Sequence, residues 1–94
     1  MSEDIYKFTL FITDNEPNSI IARRNLDLLC DERLNGQFEL EVTNVLMNAE
    51  SAYEQGVVVT PTLLAYRGDR RIVIVGNLSN REKVCAALQL PESA

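Results

Sequence analysis

Ninety-four residues, 46% of them hydrophobic and 24% charged, suffice for one domain with a modest core and exclude a disordered chain. Nine Lys and Arg against fourteen Asp and Glu leave a net charge of −5, which argues against a nucleic-acid partner, since phosphates demand a basic face. With no histidine and two cysteines, His-based triads and most metal sites are excluded, and no metal or cofactor is expected.

Residues 1–94 read as a single domain. Met1-Ser2-Glu3-Asp4 is acidic and lacks the parts of a secretory signal, and the longest apolar runs, such as Ile72–Val75, fall far short of a membrane span. The expectation is a cytoplasmic protein with no membrane partner. Over residues 5–13, Tyr6, Phe8, Leu10 and Ile12 alternate with Lys7, Thr9 and Phe11, which predicts a mostly buried strand. Phe11 stands on the opposite strand face from Phe8 and Leu10 and is expected to lie under a helix.

Pro17 suits the first turn of a helix, with Asn15 or Glu16 as its cap, and Asn35-Gly36 stops that helix near Leu34. Its main stripe is Ala22, Leu26, Leu29 and Cys30; Ile21 and Leu28 lie on a second one. The second stripe fits either a helix wedged between a sheet and another element or a subunit contact, so a homo-oligomer is one expectation. Phe38, Leu40 and Val42 alternate with Glu39, Glu41 and Thr43 in a half-buried edge strand, its carboxylates discouraging aberrant pairing.

Asn48 opens a short helix with Ala49, Ala52 and Tyr53 on one side, ended by Gly56. A strand over Leu63–Tyr66, a tight turn at Arg67-Gly68-Asp69-Arg70 and a strand over Arg71–Val75 follow. After Gly76, Ser79-Asn80-Arg81-Glu82 reads as a capping box, with the Ser79 hydroxyl taking the Glu82 N–H and Glu82 reaching back. Val84, Cys85 and Leu88 face inward, Arg81 faces solvent, Pro91 ends the helix, and Glu92–Ala94 is a loose tail.

The order βαβαββα, a parallel pair with a right-handed crossover followed by a hairpin, resembles the thioredoxin-like arrangement: an α/β fold with a four-stranded mixed sheet and three helices. Gly56-Val57, Thr60-Pro61-Thr62-Leu63-Leu64 and Gly76-x-Leu78-Ser79 are similar to thioredoxin as well. That resemblance implies a cis Thr60-Pro61 bond. It also implies a C-x-x-C where the first strand meets the first helix, and there this chain has Thr13-Asp14-Asn15-Glu16-Pro17-Asn18-Ser19. Two carboxylates occupy the place of a thiolate, so dithiol exchange is excluded there, and Ser19 has no neighbouring base to make it a nucleophile. Cys30 and Cys85, 55 positions apart inside helices, read as small buried apolar residues, which leaves a single-thiol redox protein as a remote rival.

Thr13–Ser19, Val59–Leu63, Arg70-Arg71-Ile72 and above all Leu78-Ser79-Asn80-Arg81-Glu82-Lys83-Val84 resemble the KaiB family of bacterial clock proteins over nearly the whole chain. The resemblance implies a non-enzymatic protein that binds the hexameric RecA-like ATPase KaiC. It further implies a link to KaiA or to a clock histidine kinase, and a metamorphic family in which only the thioredoxin-like form binds the ring. The sensor domain of the clock histidine kinase SasA shares this scaffold and the KaiC-binding role, so a sensor or adaptor module with a kinase partner is the alternative that the resemblance implies. Where the family usually has a longer, proline-rich connection, this chain has Tyr66-Arg67-Gly68-Asp69, a turn expected to favour the thioredoxin-like form. Asn77 stands for the usual Asp, and Gly56 for a frequent lysine. Arg23, Arg24, Arg67, Arg70 and Arg71 are five of the nine basic residues. Of these, Arg23, Arg24, Arg70 and Arg71 are the expected partner-binding set, unless they are solvated charges or local ion-pair partners of Asp27 and Asp31. Pro17, Pro61, Gly76, Ser79 and Glu82 are expected to be structural.

Overall fold

Alternation in the first strand decides which side of the sheet each helix covers. In the computed structural model, which describes residues 5–90, the elements are β1 (Tyr6–Ile12), α1 (Pro17–Arg33), β2 (Phe38–Asn44), α2 (Ala49–Glu54), β3 (Thr62–Arg67), β4 (Arg70–Val75) and α3 (Arg81–Leu88). The acidic start, the Pro91 stop and the Glu92–Ala94 tail lie outside the described residues. The strand order is β2-β1-β3-β4, with β1 and β2 parallel and the other two pairs antiparallel. This is the expected βαβαββα thioredoxin-like fold.

Tyr6, Phe8 and Leu10 turn to one face, where the α1 stripe Ala22, Leu26, Leu29 and Cys30 and the α3 residues Val84, Cys85 and Leu88 close the main core. Phe11 turns to the other face and packs with Leu64 beneath Ala52 of α2, as its register predicts. Each buried Leu or Phe contributes about 1.5–3 kcal/mol, so the period-2 pattern alone commits the strand to two unequal cores. The Tyr6 hydroxyl donates to the Leu88 carbonyl and the Arg67 guanidinium lies 5.2 Å over the Tyr6 ring, tying the hairpin end of the sheet to α3.

The helix starts separate cleanly into those the local sequence dictates and those it does not. Glu16 caps α1, with Pro17 at its first position. Asn48 stands at the start of α2 but its side chain makes no capping bond; its amide donates to the Asn44 carbonyl at 3.2 Å instead. The Ser79–Glu82 capping box is not formed. Asn80 is the cap, its Oδ1 accepting from the Lys83 N–H at 3.1 Å, and Glu82 sits in the first turn of the helix. The reason is upstream: Leu78 takes a left-handed backbone (φ 64°), and Asn77 Oδ1 accepts the Ser79 N–H at 3.0 Å. That contact holds Ser79 outside the helix, and the start shifts by one residue. Asn and Ser are nearly equal as caps, so the tertiary turn decides. Arg81 does not simply face solvent. It pairs with Glu32 of α1, with its Nε buried between the helices.

Candidate functional site

In thioredoxin-like folds chemistry belongs where β1 runs into α1, and there the Glu16 carboxylate and the Ser19 hydroxyl are taken up by the chain itself. The Glu16 carboxylate accepts from the Ser19 N–H (2.9 Å), the Asn18 N–H (3.1 Å) and the Ser19 hydroxyl (3.0 Å). These bonds, the Asn18 amide first, hold its pKa below the usual carboxylate value. The helix N-terminus, which elsewhere would favour a thiolate, is thus already occupied by the chain's own anion. A carboxylate does touch Ser19, contrary to the expectation of no neighbouring base. The lowered pKa makes it a weak one, and Ser19 is 1% exposed with its oxygen also accepting the Thr13 N–H at 3.1 Å. That serine is a buried strut.

Beside this junction lies the Thr60-Pro61 bond, which is cis as the thioredoxin resemblance implies. The Thr13 and Thr60 hydroxyls meet at 2.6 Å, and the Thr62 hydroxyl donates to the Val59 carbonyl at 2.7 Å, fixing the loop to the end of β1. Asn44 Oδ1 accepts from the Asp14 and Leu46 N–H groups, both at 3.2 Å, and so joins the ends of β1 and β2. Between these anchors opens a groove of about 310 Å³ lined by Thr13, Val45, Ala52, Tyr53, Val58 and Thr60, among others. Its rim is apolar and uncovered. Tyr53 is 83% exposed and Val58 89%, with Leu46, Met47 and Val59 exposed nearby in sequence. Sequence reading placed Tyr53 on the Ala52 side of α2 but did not expect it in solvent. It also missed the groove, whose walls come from segments far apart in the chain.

The arginines do not form one patch. Arg23 pairs with Asp27 at 3.4 Å, the local i, i+4 contact. Arg24 is exposed and, among the described residues, has no ion-pair or hydrogen-bond partner. Arg70 donates to the Gln89 side chain just beyond α3. Arg71 points to the opposite sheet face, its Nε donating to the Tyr66 hydroxyl at 3.2 Å and its terminal nitrogen to the Gln55 carbonyl at 2.8 Å. Successive strand residues alternate faces, so the double arginine divides between α3 and α2. Cys30 and Cys85 are buried and unbridged; burial, helped by Asp27 and Asp31, pushes the Cys30 thiol up to about 12. Among the described residues no group of three or more Cys, Asp or Glu is placed to hold a metal, and no helix is long and apolar enough to cross a membrane.

Comparison with known proteins follows the same lines. A family profile described as the KaiB domain matches residues 9–90. The circadian clock oscillator protein KaiB of Thermostichus vulcanus is 36% identical over 85 residues, 90% of this chain and 79% of that protein. The protein of the same name from Microcystis aeruginosa is also 36% identical over 85 residues, 90% of this chain and 82% of that one. Among solved structures, Fasciola hepatica thioredoxin superposes with a TM-score of 0.71 at 16% identity, over 92% of this chain and 84% of that one. Mitochondrial thioredoxin 3 of Saccharomyces cerevisiae gives 0.74 at 14% identity, over 95% and 82%. At such identities these two report the fold alone.

Proposed function

Because the chain belongs to the KaiB family, we propose that it is a non-enzymatic clock-type regulator that docks, in this thioredoxin-like fold, onto a KaiC-type RecA-like ATPase. The observation that carries this reading is the state of the β1–α1 junction. The place of a dithiol is filled by a carboxylate that satisfies the helix N-terminus, while the adjoining groove keeps Tyr53, Val58 and Val59 exposed, with Leu46 and Met47 exposed next in sequence to its Val45 wall. Such a surface is suited to being covered by a partner.

Arg24 and Arg70 supply the charge in this reading, recognising carboxylates of the ATPase, with Arg23 and Arg71 as flanking contacts whose side chains are partly held by their own neighbours. Arg24 is the best placed of the four, since among the described residues it alone has neither an ion-pair nor a hydrogen-bond partner for its side chain.

Capture of a purified KaiC-type ATPase on immobilised protein tests both parts. Tyr53→Ala is expected to weaken capture about tenfold, and Arg24→Glu with Arg70→Glu by a similar factor. Undiminished capture by the charge-reversed protein would discard the arginine assignment. No capture by the unaltered protein, folded by circular dichroism, would discard the ATPase reading.

A further inference from the structure

The chain has eight asparagines, and only Asn35 is followed by glycine. The other seven precede residues with a Cβ, which crowds any approach to the intervening peptide nitrogen. In the pair Asn18-Ser19 that nitrogen is also taken up, since Glu16 accepts the Ser19 N–H at 2.9 Å.

Asn35-Gly36 is the centre of the turn between α1 and β2. Both residues are exposed and left-handed, with φ 51° and 82°, and the Gln37 N–H closes the turn on the Leu34 carbonyl at 2.8 Å. The groups that could react with one another are left unengaged. Among the described residues the Gly36 N–H donates to nothing, and the Asn35 side chain has no hydrogen-bond partner. A Cβ placed on Gly36 would meet no atom within 4 Å, so the backbone there has room to rotate.

We propose that Asn35 is a self-modification site, at which the chain converts its own side-chain amide through a cyclic imide. The Gly36 nitrogen gives its proton to hydroxide and attacks Asn35 Cγ. The new C–N bond closes a five-membered succinimide as the Cγ–Nδ2 bond breaks, and ammonia leaves with a proton from water. Water then adds to either imide carbonyl. Opening at Cγ leaves aspartate in a normal backbone; opening at the main-chain carbonyl leaves isoaspartate, with the chain running through Cβ and Cγ. Neither step needs an oxidant or a reductant.

Both products disturb the turn. Each adds an anion just past the C-terminus of α1, where the helix dipole and the nearby Asp31 and Glu32 oppose it. Isoaspartate also adds a carbon to the backbone inside the turn. That separates Gln37 from Leu34 and releases the closing bond one residue before β2 begins. The proposal rests on this turn and not on the ATPase reading.

Ageing the purified protein at neutral and at mildly alkaline pH tests it, read by intact mass and peptide mapping. Isoaspartate is detected by methyl transfer from S-adenosylmethionine with an isoaspartyl carboxyl methyltransferase. The expected result is loss of ammonia from position 35, a mixture of aspartate and isoaspartate there, and a rate that rises with pH. Asn35→Gly, which tolerates the left-handed backbone, is expected to remove the reaction, and Gly36→Ala to slow it about tenfold or more. Alanine is strained at φ 82°, so circular dichroism checks that variant, and the Asn35→Gly result stands without it. In the aged protein, hydrogen exchange at the Gln37 amide is expected to quicken. A position 35 that stays intact while a peptide of residues 31–40 reacts, or earlier loss of ammonia from another asparagine, would overturn the proposal.

Discussion

Glu16 shows how one side chain can replace a chemistry with a structure. Its carboxylate holds the two amides at the start of α1 and the Ser19 hydroxyl. Its folded-state pKa lies below the ordinary 4.5, so its contribution to stability is complete above that value and is lost as pH falls through the lower, folded-state one. Glu16→Gln is therefore expected to be less stable than the unaltered protein at pH 7, the gap closing only below pH 4.5, as read by urea denaturation at both pH values. A gap that persists unchanged in acid would mean that the charge is immaterial to the cap. The cysteines give the complementary case. With the Cys30 thiol pushed up to about 12 and both sulfurs buried, neither is expected to react with an aromatic disulfide reagent until the protein is unfolded. Rapid labelling of the native protein would contradict this.

At the scale of elements, the start of α3 separates local signal from tertiary decision. Ser79 and Asn80 offer the helix two starts of nearly equal quality, and the choice falls to the turn at Asn77-Leu78. Asn80→Ala is expected to cost about 0.5–2 kcal/mol in chemical denaturation, and Ser79→Ala about 0.5 kcal/mol or less; the reverse ranking would restore the capping box. The main stripe of α1 is buried as its spacing predicts, whereas Ile21 and Leu28 of the second stripe stay exposed rather than wedged under another element. Leu26 is fully buried and Leu26→Ala is expected to cost about 2–5 kcal/mol, whereas Leu28, 44% exposed, should cost far less in the same measurement. Strand alternation was legible for the same reason, since a period of two leaves no choice of face once one core is known. The α2 surface was not legible. Tyr53 belongs to the Ala52 side of a helix of six residues, but nothing local says that no further element lies over it.

For the whole molecule, the thioredoxin-like fold and the absence of a C-x-x-C at its β1–α1 junction have to be read together. An insulin-reduction assay is expected to give no turnover, with the protein unaltered or with Cys30→Ser and Cys85→Ser combined. Turnover that disappears in the double variant would point to single-thiol chemistry. The tight turn also acts at this scale. Gly68 has φ 59° and joins two strands paired from Arg67–Arg70 to Thr62–Val75, so the hairpin is fixed by local geometry. Such a hairpin favours the arrangement seen here, in which residues 70–75 are a strand.

Much of this protein follows from short-range order in its chain: the seven elements, the two faces of β1, the α1 stripe, the absent dithiol and the resemblance to the KaiB family. Each depends on residue type at a spacing of two to eight positions, where backbone geometry leaves little freedom. Three features needed the fold. The groove is assembled from Thr13 at the end of β1, Val45, one side of α2 and the Val57–Thr60 loop. The arginine pair is divided because Arg70 meets Gln89 while Arg71 meets Gln55. The β4 edge is open because the β2-β1-β3-β4 order leaves it last in the sheet. All three depend on which distant segments meet, and burial and hydrogen bonding over the whole chain select those meetings, beyond the reach of any local pattern.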